Sequence, residues 1–214
     1  MAMQQEQHAR AHTVRQRLLG LGPSDKRVLD KIALLDELEK ALARGSQKKR
    51  NAIAQELAAK EKEIHAAQAE QRAAMAAALD RARSIADPAA RAERLVDAFE
   101  ICALAQIVAL DDFADDETAD RAVEHRHAIV ALLDAIAPRR RAALARLLES
   151  PFAGVRAAAG AQLLNAGMMR ERIVPMLQEI ERNVPSSAGW IAFWALSPDD
   201  HGEWLNDETC ARTR

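Results

Sequence analysis

Apolar residues recur along this chain at intervals of three and four, and the polar residues between them change character near Asp87-Pro88. Val28, Ile32, Leu35, Leu38 and Leu42 fall on one face of a helix of 3.6 residues per turn. Gly20-Leu21-Gly22-Pro23 breaks the chain ahead of them, Ser24 or Asp25 stands where an N-cap belongs, and Gly45 closes the series. From Gln47 to Arg83, behind a capping Ser46, the large apolar positions thin out to Ile53, Leu57, Ile64, Met75 and Leu79, with alanines between them. A helix of about 37 residues reaches roughly 55 Å, twice the length of its neighbour. Small residues let helices approach closely, so the pattern predicts an antiparallel pair whose unmatched remainder is open to another chain.

Beyond Asp87 the pattern becomes shorter and better punctuated. Asp87 caps and Pro88 opens a helix to about Leu110, with Leu95, Phe99, Cys102, Leu104 and Ile107 as its apolar set. An acidic link, Asp111 to Glu117, leads into a helix that ends at Ala137 before Pro138. Further helices are predicted near Arg139 to Glu149, Pro151 to Asn165 (closed by Gly167), Arg170 to Arg182, and Ser187 to Leu196. Connections this short place successive helices side by side and antiparallel.

Composition sharpens the division. Residues 1 to 90 carry 16 Lys/Arg against 12 Asp/Glu, a net of +4, and the remainder carries 14 against 20, a net of −6. All seven aromatic residues lie in the second part: Phe99, Phe113, Phe152, Trp190, Phe193, Trp194 and Trp204. Aromatic side chains bury the most area per residue, so a segment without them is poorly equipped to fill a core of its own. The expected organisation is a helical arm over 1–86, hairpin or coiled coil, then a compact helical domain over 87–204 and a tail over 205–214. The fold class is all-α: abundant alanine, no tyrosine, and 15 Gly and Pro together in 214 residues.

The stretch LARLLESPFAGVRAAAGAQLL, Leu144 to Leu164, is the most specific in the sequence. Leu144, Leu147 and Leu148 edge one helix, Ser150-Pro151 turns the chain, and Val155-Arg156 precedes Ala158, Ala159, Leu163 and Leu164 on a second. That order resembles a HEAT-type repeat, with a valine-arginine pair followed by small residues and a leucine pair. The following unit, Ile173 to Leu196, has a similar length but lacks that pair and ends in WIAFWAL. About residues 95–204 also resemble a small bacterial HEAT-like family classed as a domain of unknown function. The resemblance implies a short HEAT-like stack of antiparallel helices behind the N-terminal arm, with Val155 and Arg156 in structural roles. Arg156 is expected to pair with carboxylates or helix-end carbonyls.

Little chemistry beyond this is legible. There is no glycine-rich phosphate loop and no nucleophile elbow, and Glu124, His125 and His127 do not share a helix face. His8 and His12 have a zinc-compatible spacing without a third ligand. The acidic run lacks the turn glycine of a calcium loop. Cys102 and Cys210 stand far apart without a partner motif, and no basic-then-apolar leader or membrane-length apolar run is present, which fits a reducing cytoplasm. No catalytic residue, metal or cofactor is assigned, and the chain is read as no enzyme.

Two surfaces remain as candidates for a partner. Asp112, Asp115, Asp116 and Glu117 offer negative charge to a cationic protein, while carboxylates ahead of a helix also serve the helix dipole. Trp190 and Trp194 lie on a helix with more apolar breadth than a one-sided core helix needs. The resulting expectation is a protein-interaction module, of the kind of a bacterial immunity or adaptor protein that binds and neutralises a cationic toxin or effector. The alternatives are a nucleic-acid-associated protein using Lys48-Lys49-Arg50 and Arg139-Arg140-Arg141, disfavoured by the overall charge of −2, and an oligomeric scaffold built on the arm.

Overall fold

The computed structural model describes residues 26–44, 46–113, 115–137 and 140–197, and every regular element among them is helical. In order these are α1 (Lys26–Ala43), α2 (Gln47–Arg83), α3 (Pro88–Val108), a π-turn (Ala109–Phe113), α4 (Asp116–Ile136), a 3-10 helix (Arg140–Glu149), α5 (Ala153–Asn165), α6 (Arg170–Asn183) and α7 (Ser187–Leu196). None is long and apolar enough to cross a membrane. Residues 1–25, with His8 and His12, lie outside the described residues, as do Trp204 and Cys210.

The described residues form two compact units, one of 26–77 with 105–123, the other of 78–104 with 124–197. Their boundaries do not follow the compositional shift at Asp87-Pro88, and the reason is visible in the first unit's core. Val28, Ile32 and Leu35 of α1 cluster with Ile64 of α2, and Leu38, Leu57 and Phe113 pack around them. The N-terminal sequence has no aromatic side chain; Phe113, from the π-turn, supplies one. Lys31–Glu61 at 3.1 Å, Lys60–Asp30 at 3.2 Å and Lys49–Glu37 at 3.3 Å join α1 to α2. Numbers on α1 rise as those on α2 fall, so the hairpin is antiparallel. Exposed pairs of this kind fix register more than they stabilise, at about 0–1 kcal/mol each.

In the second unit, α3 begins with Asp87 as its N-cap, whose Oδ2 accepts from Ala90 N at 2.7 Å, and Pro88 follows at the first helical position. Leu95, Val96, Phe99, Cys102 and Ala103 of that helix are all buried. The buried guanidinium of Arg126, on α4, lies 5.7 Å from the Phe99 ring centroid. Burial pushes the Cys102 thiol up to about 12 and the Arg126 guanidinium down to about 10. His127 is also pushed down, first by burial and then by the Arg126 charge beside it.

α5 is the most enclosed helix: Gly154, Val155, Ala157 to Gln162 and Leu163 are all buried, and it packs against the 3-10 helix, α6 and α7. Its alanines and glycines are what let three neighbours come close. A methyl group on Gly160 would stand 2.9 Å from Met176 Cε and 3.3 Å from Ile173 Cγ2, both on α6. Beyond α5, Gly167 at φ +68° closes the helix, donating to Leu164 O while Met168 donates to Leu163 O, both at 2.9 Å. This is the 6→1 and 5→2 pairing of a Schellman end, which needs the left-handed conformation glycine adopts freely.

The segment Arg140–Glu149, read from the pattern as an ordinary helix, is wound as a 3-10 helix. Three residues per turn bring Leu144 and Leu147 into line, and both are buried with Leu148. Arg156, the first-turn arginine of α5, donates from Nη1 to the Ser150 carbonyl just past that helix, at 2.7 Å. Arg156→Ala removes a charged donor from a half-buried carbonyl and is expected to lower stability by about 1–3 kcal/mol. Urea denaturation followed by tryptophan fluorescence measures this, and a midpoint equal to the parent's would deny the contact its structural role.

Candidate functional site

The acidic segment is built largely into the first unit. Asp115 caps α4, accepting from Thr118 N at 3.1 Å and from the Thr118 hydroxyl, while Arg72 donates to that hydroxyl at 2.8 Å and lies 3.6 Å from the carboxylate. Its side chain is only 10% exposed, so its charge serves the helix start. Asp112 is half-buried. Asp116 and Glu117 are exposed, with Glu117 3.3 Å from Arg121 Nε one turn on. A cleft of about 280 Å³ beside them is lined by residues that include Lys31, Glu61, His65 and Arg72. Lys31 is engaged by Glu61, and Arg72 by Asp115 and Thr118, while Asp116 and Glu117 also line the cleft, so its four carboxylates outnumber its two cations and its surface charge is negative.

In each of the basic helix starts one cation is held by a carboxylate, and Arg139 lies outside the described residues. Lys49 pairs with Glu37, and Arg141 reaches back to Asp134 of α4 with both Nε and Nη2. Cations held this way offer less to a phosphate backbone. Among the described residues no group of three His, Cys, Asp or Glu is arranged to hold a metal ion.

The unusual feature is α7. Its buried residues are Ala188, Gly189 and Ala192, the small ones, while Trp190 is 64% exposed, Phe193 41% and Trp194 37%. An amphipathic helix normally does the reverse. The cause is the tightness of the corner with α6. A Cβ on Gly189 would lie 2.3 Å from the Val184 carbonyl oxygen, so only glycine permits this approach, and the wide side chains are left on the outer face. Ser186 fixes the start of the helix, its side chain accepting from Ala188 N at 3.2 Å.

The three rings form one cluster. Trp190 and Phe193 meet edge to face with centroids 6.1 Å apart, Phe193 and Trp194 likewise at 5.3 Å, and Trp190 stacks on Trp194 at 6.3 Å. Trp190 and Trp194, singled out from the sequence, are thus brought together on one face. Phe193 completes the cluster, and beside it runs a groove of about 280 Å³ whose other walls include Glu181, Val184 and Pro185. Sequence reasoning missed this groove. Its one signal in the sequence is Gly189, an isolated glycine inside a helical pattern, where it costs helix stability relative to alanine and so points to a packing reason. Val155, fully buried on α5, and Arg156 belong to the packing of the second unit and not to this face.

Comparison with protein-family models, with curated proteins and with solved structures gives no match.

Proposed function

We propose that this chain is a protein-interaction module that docks its partner through the exposed aromatic face of α7. The observation that supports the reading is the inversion of that helix, with two tryptophans and a phenylalanine outward and alanine and glycine inward. Contiguous apolar patches on a protein surface usually mark contact sites, and tryptophan is among the residues that contribute most when such a site is covered. The same proposal takes the 3-10 helix, α5, α6 and α7 as a short HEAT-like stack that holds the face rigid. Its narrowest form is an immunity-type protein that occludes a cationic effector.

The test uses the full chain carrying a photo-crosslinking residue in place of Phe193, in the cells it comes from. A single dominant adduct is expected, and the purified captured protein should bind the unmodified chain. Trp190→Ala combined with Trp194→Ala should then weaken binding by about 30-fold or more, the scale of interface hot spots. Trp190→Ala alone, at a 64% exposed position, should change folding by no more than about 0.5 kcal/mol, and the double variant, which also removes the 37% exposed Trp194, by about 1–2 kcal/mol. Undiminished binding by that double variant would overturn the assignment of the face.

A further inference from the structure

We propose that the groove at the α6–α7 corner is a receptor for an arginine side chain presented by a protein partner. The inference rests on the docking reading above and names the chemistry that this part of the face recognises. Its volume of about 280 Å³ lies at the small end of ligand sites, the size for one side chain and not for a drug-sized molecule or cofactor. Trp190 and Phe193 line it with ring planes inclined at 80°, so the corner offers aromatic surface in two directions. Among the described residues the only charge in its lining is the exposed carboxylate of Glu181, which forms no ion pair with any of them.

The other polar lining groups are already engaged. The Ser186 hydroxyl caps α7, and the Val184 carbonyl accepts from Ser186 N at 2.9 Å. The carboxyl end of α6 and the amino end of α7 meet here, and their opposed dipoles favour neither sign strongly. Glu181 therefore decides the sign of the ligand. Aromatic surface beside a carboxylate suits a cation that is apolar on its faces and hydrogen-bonding at its edge. Guanidinium has that shape: it is planar, weakly hydrated, stacks on rings and pairs with carboxylates, whereas the lysine ammonium is compact and strongly hydrated.

The probe is the tripeptide acetyl-Ala-Arg-Ala-amide, with its citrulline counterpart as the neutral isostere, titrated against the full chain while the Trp190 indole N–H resonance is followed. The arginine peptide should shift that resonance and saturate, with the citrulline peptide binding about tenfold more weakly, the sum expected from a cation–π contact and an exposed ion pair. Glu181→Gln should cost the arginine peptide about three- to fivefold and leave the citrulline peptide unchanged. Equal binding of the two peptides, or no binding of either, overturns the proposal. So does a Trp190 resonance that moves on Trp204→Ala, or on dilution, before peptide is added, because the groove would then be filled by the chain's own segment or by a second copy. The two readings fail separately. If the peptide does not bind but Trp190→Ala still weakens the captured partner, the docking face stands without the arginine chemistry; if the peptide binds and the partner is indifferent to Trp190, the groove stands and the docking face falls.

Discussion

Gly189→Ala is expected to destabilise the second unit by about 3 kcal/mol, near the top of the range for overpacking a closed site. The added methyl would meet Val184 O at 2.3 Å, with Val184 C at 3.5 Å and Glu181 O at 3.7 Å behind it. These are backbone atoms at the end of α6 and cannot swing aside as a side chain does. Two other glycines set the scale. Gly160→Ala meets the flexible end of Met176 at 2.9 Å but also Ile173 Cγ2 at 3.3 Å, so the better helix propensity of alanine offsets the crowding only in part and the net cost should stay just under about 1 kcal/mol. Gly167→Ala meets nothing within 4 Å but must hold φ +68°, a cost of about 1 kcal/mol. Urea denaturation followed by tryptophan fluorescence should rank them 189, then 167, then 160; a Gly189→Ala protein that unfolds with the parent would mean that α7 does not sit against α6 as described.

The helices themselves were legible because their signals are local. The long helix is predicted over Gln47 to Arg83 and found over Gln47–Arg83, and Asp87-Pro88 does at the start of α3 what a capping carboxylate and a first-position proline ordinarily do. The last helix is likewise found at its predicted bounds, Ser187–Leu196. Gly167 closes α5 for a reason that its residue type alone suggests. The helix predicted near Arg170 to Arg182 is found over Arg170–Asn183 and runs through Pro175, which is tolerated at an exposed position while Ile173, Leu177 and Ile180 hold the buried face.

What stayed hidden depends on contacts between distant residues. Nothing in the sequence near α1 shows that its core is completed by Phe113, because the pairing spans most of the first unit. The acidic run shows its charge but not that Asp115 is turned inward onto Thr118 and Arg72, which leaves Asp116 and Glu117 as the exposed pair of the four. The breadth of apolar positions on α7 was visible, but the close neighbour at Gly189 was missed. The side that neighbour took was not legible, since alternation within a helix fixes its faces only when one of them is polar. Here both faces are apolar, one of small residues and one of large, and packing against α5 and α6 decided between them.

Phe99→Ala should be among the most damaging substitutions in the second unit, at about 3–5 kcal/mol, the cost of deleting a fully buried aromatic ring. Phe99 is 0% exposed, as are Leu95 on the turn before it and Cys102 on the turn after it. The ring also meets the Arg126 guanidinium at 5.7 Å. Arg126 is itself 6% exposed, and a buried cation that loses a polarisable aromatic face is left in poorer surroundings than before, so the loss should lie in the upper half of that range. Phe99→Leu separates the two contributions, because it retains most of the apolar volume and gives up the ring; its cost should be about 1.5 kcal/mol, with the excess over an ordinary volume-conserving exchange assigned to Arg126. Phe152→Ala is the control, since that ring is 52% exposed, and should remain within about 0.5 kcal/mol of the parent. Denaturation midpoints for the three variants decide the matter: if Phe99→Ala and Phe152→Ala unfolded together, α3 would not be the buried spine of this unit.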